Sequence, residues 1–285
     1  MKFTSLKSGV ATRATLFASV AAIGLAMPSA AFAQDADDEE VEDGVVDDNV
    51  ILVTASKRET TLQETPISVS VTSGETLENA QIRDVLDLQT VTPSLRVSQL
   101  QTSSASTFII RGFGNGDNNF GIEPSVGVFI DGVFRSRSAA ALSDLPNVQR
   151  IEVLNGPQST LFGKNASAGV ISVVTREPQF EFGGAVEVSY GNFDAKVLKA
   201  NVTGGLTETI AVSIDGNINK RDGYVQDLAL NKDSNERNRW GVRSQLLFEA
   251  SEDLSFRLIG DYDKIDEDCC AVVNIVDGPT GGAVR

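Results

Sequence analysis

The chain has 285 residues, and its 24 basic and 39 acidic side chains give a net charge of −15. That length allows one or two domains, and the acidic balance argues against nucleic acid as a partner. The chain contains no histidine, which removes the commonest general base, histidine metal motifs and Ser-His-Asp chemistry.

The N-terminus reads as an export signal. Lys2, Lys7 and Arg13 precede the apolar run Ala14–Ala26, and Ala31-Phe32-Ala33 places small residues around a cleavage point before Gln34. The run is short for a membrane span, so residues 1–33 are expected to be removed. Loss of three basic residues then leaves a net charge of −18. Residues 34–49 form an acidic tether, in which nine of the fourteen residues Asp35–Asp48 are acidic and none is basic. Such a block repels itself and buries no core. Composition flips at Val50, Ile51, Leu52, Val53, Thr54 and Ala55, an apolar, β-prone run. This run is either the first strand of the following domain or a peptide meant for another protein's sheet edge.

The next stretch predicts an α+β domain. Ile67–Val71 alternates as a strand, and Ser73 is placed to cap a short helix from Gly74 or Glu75 to about Ala80. A second helix is expected over Ile82–Thr90, stopping before Pro93. Leu95–Val97 and Phe108–Arg111 read as short strands. Gly112–Gly121 (GFGNGDNNFG) is too rich in Gly and Asn to be regular. It lacks the spacing and Lys-Ser/Thr of a phosphate loop and the ligand pattern of a calcium loop. In Gly127–Arg135, Asp131-Gly132 between apolar arms is a hairpin signal, since a type I′ turn needs positive φ at both central residues. Gln149–Leu154 and Gly169–Thr175 are further strands, broken by Asn155-Gly156-Pro157 and by Gly163. The nearly all-apolar VISVV of the second strand predicts burial on both faces. A nucleophile elbow is absent, because Gly156-Pro157-Gln158-Ser159-Thr160 lacks the second glycine.

From Gly184 the pattern changes. Five stretches, centred on Val186–Tyr190, Leu198–Val202, Ile210–Ile218, Trp240–Phe248 and Leu254–Tyr262, alternate apolar with polar or charged residues. Full charges on the polar face suit a wet lumen, and Tyr190, Trp240 and Tyr262 lie near strand ends, as in an interfacial girdle. Gly205–Thr209 and Ser251–Asp253 are short connections, whereas Arg221–Arg239 and the residues after Ile265 are long, the expected asymmetry of a membrane barrel. The short Gly191–Asp194 connection departs from it. A soluble sandwich would show the same alternation with both faces covered. Cys269 and Cys270 are adjacent, so they imply no disulfide framework. They read as a loop pair or a vicinal disulfide, with no metal spacing.

These residues together resemble the N-terminal part of a TonB-dependent outer-membrane receptor. Ile51–Ala55 resembles the TonB box, Ile110-Arg111-Gly112-Phe113 the RGF element, Val126–Val133 the VGVxIDGV hairpin, and Val148–Thr175 the signature VxRIEVLRGPxxxLFGxNAxxGxIxxVT. The resemblance implies an α+β plug, residues 56–178, followed by the first five antiparallel strands of a 22-stranded transmembrane barrel, residues 183–285. Its plug-motif positions are Arg111, Gly112, Phe113, Asp131, Gly132, Arg150, Glu152, Gly156, Pro157, Gly163 and Gly169. It implies TonB binding by Val50–Ala55, contact with outer-membrane lipid, and import of an iron chelate, most often a ferric siderophore, or another bulky nutrient. No catalytic residue, cofactor or metal is implied. Gly114, Asn115, Asp117, Asn118 and Asn119 are the expected ligand-facing plug loop.

One departure stands out. The arginine of the signature's LRGP is Asn155 here, which puts in doubt a charge latch between plug and barrel. Arg111 is left either to face barrel carboxylates or to bond within the plug. Five strands leave two open edges, which hydrocarbon does not tolerate, so a fragment not competent for transport by itself is expected. The alternatives are a TonB-linked signalling receptor, disfavoured by a bare tether before the box, and a soluble periplasmic β-rich binding protein.

Overall fold

The computed structural model describes residues 51–55, 57–58, 60–99, 106–115, 122–136, 147–227 and 231–270. The expected signal (1–33), the tether (34–49), Val50 and the loop residues Asp117, Asn118 and Asn119 lie outside them.

The chain begins with a two-stranded pair, β1 (Leu52–Val53) and β2 (Thr60–Thr61). β3 (Val69–Ser73) leads into α1 (Gly74–Asn79). Ser73 caps this helix as expected, its Oγ accepting from the Thr76 N–H at 3.2 Å, with Glu75 in the first turn. β4 (Leu95–Gln99) and β5 (Ser106–Ile110) form an antiparallel pair. β6 (Val126–Ile130) turns through Asp131-Gly132, at φ 47° and 76°, into β7 (Val133–Phe134). That is the positive-φ pair expected of the Asp-Gly dipeptide. β8 (Val148–Asn155), α2 (Ser159–Phe162) and β9 (Gly169–Thr175) complete the domain. Its sheet runs β3-β8-β9-β6-β7, antiparallel except where β6 lies parallel to β9.

This sheet is apolar on both sides, as the VISVV run predicts. On one face Ile171 and Val173 pack with Ile151, Val153, Leu77, Leu88, Phe108 and Ile110. On the other, Val170 packs with Leu154, Phe129, Ala166, Val53 and Ala55. Each fully buried aliphatic side chain contributes about 1.5–3 kcal/mol. Close approach explains Gly169, where a Cβ would stand 2.5 Å from the Leu154 carbonyl oxygen and 2.6 Å from Ile110 Cδ1. Gly169→Ala is therefore expected to destabilise the domain by about 2 kcal/mol through overpacking, checked as a lowered calorimetric melting temperature.

One expected element does not form. Ile82–Thr90 contains only a 3₁₀ turn, Asp87–Thr90. The Asp84 carboxylate accepts from the N–H groups of Leu86 (2.9 Å) and Asp87 (3.2 Å), and Asp87 accepts from the Arg83 N–H (3.0 Å). Short acidic side chains compete with the helix for those donors, which is why they favour turns over helix interiors.

A second sheet follows, made of β10 (Gly183–Gly191), β11 (Ala195–Gly205), β12 (Ile210–Arg221), β15 (Arg237–Ser251) and β16 (Leu254–Ile265). It is an antiparallel meander in that order. The long β12–β15 connection carries its own hairpin, β13 (Val225–Asp227) and β14 (Lys232–Ser234). Among the described residues nothing covers the outer face, where Val186, Val188, Tyr190, Phe256, Leu258 and Tyr262 are exposed. The soluble-sandwich alternative needs that face covered. Trp240 and Tyr262 sit ring to ring at 5.3 Å near one end of their strands, and Phe248 and Phe256 stack at 6.3 Å near the other. Cys269 and Cys270 are joined in a vicinal disulfide.

Candidate functional site

The inner face of the second sheet lies against the first domain, and the contact is electrostatic. β15 places Arg237, Arg239, Arg243 and Gln245 at alternate positions, so all point inward. Arg239 and Arg237 reach Asp84 at 3.0 and 3.3 Å. Arg239 also binds Glu267 in bidentate fashion, Nη2 to Oε1 at 2.6 Å and Nε to Oε2 at 3.0 Å. Asp84, Arg239 and Glu267 are all buried. The carboxylate that prevents a helix thus also anchors the domain to the wall.

A second cluster surrounds the Asp131-Gly132 turn. Asp131 braces its own sheet, accepting from the N–H and the hydroxyl of Thr175, each at 2.9 Å. It also accepts from Arg243 of β15, while Arg257 of β16 stands 3.8 Å away. Arg257 binds Thr175 Oγ1 (2.9 Å), Gln245 (2.6 Å) and Glu177 (3.1 Å). Arg135, just past β7, pairs with Asp261 of β16 at 3.1 Å. Opposite charges removed from water are held only when paired and hydrogen-bonded, and both clusters meet that condition.

The box segment Ile51–Ala55 is docked rather than free. Val53 and Ala55 are fully buried. Leu62 N–H donates to the Ile51 carbonyl at 2.8 Å, so Ile51 and Leu62 form a bonded pair and the Leu52–Thr61 pair is the non-bonded one of the ladder. The peptide groups of Leu52 and Thr54 therefore point away from β2. At Thr54 that edge is occupied, because its N–H (2.9 Å) and hydroxyl (3.1 Å) donate to the buried Glu152 carboxylate. Arg150 holds the same carboxylate at 2.8 Å. Ile51 and Leu52 are about half exposed.

Glu152→Ala removes two charge-assisted bonds to the box, each worth about 1.5–3 kcal/mol. Trypsin is expected to cut at Lys57-Arg58 about a hundredfold faster in this variant, read as the rate of loss of intact chain in native membranes.

The remaining sequence-derived positions fall in two places. Arg111 (φ 51°) donates to Ser68 Oγ at 2.8 Å, and Asn155 donates to the Ser68 carbonyl through its N–H (2.9 Å) and its side-chain amide (3.1 Å). Asn155, in place of the signature's arginine, thus ties β8 to the residue before β3. Gly156 and Pro157 form the turn after β8, and Gly163 ends α2 with its N–H on the Ser159 carbonyl at 3.0 Å. Gly112 and the exposed Phe113 close β5, and Phe113 bridges back to Ile110. Of the expected ligand-facing loop, Gly114 packs tightly on the Phe108 carbonyl, and the Asn115 side chain bonds Glu123 and Ser125.

Sequence reasoning missed Asp84, Arg239, Arg243, Arg257 and Asp261 as site residues. The alternation marks Arg243, Arg257 and Asp261 as lumen-facing, but nothing in it says which residue of the first domain each one meets, and Asp84 sits in a stretch that reads as helix. At the outer loops, a hydrogen bond from Lys196 (2.5 Å) holds the exposed Asp194 carboxyl below its usual range. Pairing with Asp268 raises Lys232.

A compact mixed sheet clasped by charges on the polar side of a meander, whose other side is bare and apolar, has the architecture of a plug domain against the first strands of an outer-membrane β-barrel. A family model, the TonB-dependent Receptor Plug Domain, matches residues 61–170. The chain belongs to the TonB-dependent receptors. It is 31% identical over 218 residues to the iron-regulated outer membrane virulence protein of Vibrio cholerae, covering 70% of this chain and 31% of that protein. It is 29% identical over 206 residues to the vitamin B12 transporter of Vibrio vulnificus, covering 70% and 32%. The crystal structure of the ferric yersiniabactin uptake receptor FyuA from Yersinia pestis superimposes with a TM-score of 0.63 at 25% identity, covering 69% of this chain and 31% of that one. The chain thus spans about a third of the length of the curated relatives it matches.

Proposed function

We propose that the receptor carrying this chain imports a bulky, scarce nutrient across the outer membrane, with the plug gating passage, and that a ferric siderophore is its cargo. The observation that supports this reading is the pair of buried ion clusters at Asp84 and Asp131, which hold the first domain against the charged face of the barrel strands through reversible contacts. Covalent or continuous apolar packing would make a permanent stopper. Charge clusters exchange partners readily once water enters.

The energy-coupling partner is TonB, and the residues proposed to bind it are Val50–Ala55. Leu52 already offers an outward-facing peptide group, the feature an added strand requires. Glu152 competes for the next one, at Thr54. Cargo identity is tested with receptor-bearing outer membranes and two labelled ligands, a ferric siderophore and cobalamin. Saturable, energy-dependent accumulation of the ferric siderophore supports the reading. Accumulation of cobalamin alone replaces the cargo, and accumulation of neither removes the import assignment.

A further inference from the structure

One buried carboxylate of the wall makes no ion pair in the locked state among the described residues. Asp215 of β12 is 3% exposed, and neither of its carboxylate oxygens has a hydrogen-bond partner among the described residues. The Asn147 and Gln245 side chains lie close enough to offset its burial in part, and Arg243 attracts it, but among the described residues it forms no ion pair. A buried carboxylate without one is costly, so its presence calls for a reason.

The strand register supplies one. Asp215 is the direct cross-strand partner of Arg243 on one side and of Asn201 on the other, while Arg243 is in turn opposite Asp261. Cross-strand partners on one face have their Cβ atoms about 5 Å apart, within reach of an arginine. At rest Arg243 turns instead to the plug, giving Nη2 to Asp131 and Nη1 to Asp261 at 3.4 Å, and its Nε is unpartnered. Asp215 also borders a cavity of about 440 Å³ between α1 and β10–β12, so its carboxylate is not packed in on every side.

Charge bookkeeping points the same way. A departing plug takes Asp131, Arg135 and Glu177 with it, so Arg243 loses Asp131 and Arg257 loses Glu177. Arg243 and Arg257 stay on the wall beside Asp261 and Asp215, and the charges of this cluster balance only if Asp215 is included.

We propose that Asp215 is the positioning residue of plug release: when Asp131 leaves, the Arg243 guanidinium transfers from the plug carboxylate to Asp215. The transfer is a non-covalent exchange of partners with no proton moved. It keeps the released state free of an unpaired wall arginine and makes the lock reversible. The proposal rests on the plug gating passage, as argued above.

The test uses the whole receptor in outer membranes and in planar bilayers. Asp215→Asn is expected to slow energised uptake about tenfold with ligand Kd unchanged, and Asp215→Glu to restore most of the rate. In an Arg243→Gln background, Asp215→Asn is expected to add less than about a twofold loss. Asp215→Asn is also expected to raise the urea concentration at which plug departure opens bilayer conductance. Wild-type uptake by Asp215→Asn, failure of Asp215→Glu to rescue, a full loss persisting without Arg243, or an unmoved urea threshold each overturns the exchange. Absence of uptake in the wild type removes the import reading and leaves the conductance arm to decide on Asp215.

Discussion

Replacing Asp84 by alanine is expected to loosen the plug more than any other single change in the lock. Asp84 is wholly buried, caps the Leu86 and Asp87 peptide groups, and neutralises Arg239 while also contacting Arg237. Its loss leaves Arg239 with Glu267 and takes two caps from a segment that already lacks helical bonds. Breaking a buried pair from one side costs about 3–5 kcal/mol, because the remaining charge stays out of water. The measurement is the urea concentration at which the receptor's conductance opens in planar bilayers, and it should fall well below the wild-type value. Asp84→Asn, which retains one acceptor oxygen, should lie between the two. A threshold for Asp84→Ala equal to wild type would show that the arginines of β15 do not hold the plug.

The second large effect is expected from Leu52→Pro. Leu52 lies in the non-bonded pair of the β1–β2 ladder, so proline there removes an outward donor without breaking a bond to β2. The folded plug should therefore survive, and ligand binding at the cell surface should be unchanged. Energised uptake should fall to background, because strand addition at this edge needs that donor. Uptake by the variant at the wild-type rate would reassign the box. Val53→Asp provides the contrast. Val53 is fully buried beside Leu154 and Val170, so a charge there should undock the segment as well.

Periodicity and turn chemistry made much of this architecture legible. Five runs of alternating residues became the five-stranded meander in the expected order, because a two-residue period under a bare apolar face admits few other arrangements. The Asp131-Gly132 hairpin, the Ser73 cap and the doubly buried VISVV strand followed from equally local rules. Reasoning of that kind fails where one side chain serves two distant needs. Asp84 looked like an ordinary residue in a helical stretch, yet it forms a turn and meets Arg239, 155 positions away. Asp131 looked like turn chemistry alone, yet it also binds Thr175 and Arg243. The apolar box left two readings open, first strand or partner peptide. The structure shows that its resting position is that of a strand, with Thr54 on Glu152.

What the sequence determined alone is the set of local patterns: a β-prone box after an acidic block, a mixed plug, and wall strands greasy on one side and charged on the other. Backbone geometry and side-chain period act over a few residues, so these patterns can be read from neighbours. The choice of partners, Asp84 with Arg239, Asp131 with Arg243, and Asp215 left waiting opposite, was decided only when the two sheets came together. Each ion pair depends on a separation of a few ångströms between residues far apart in the chain, and no local period encodes that distance.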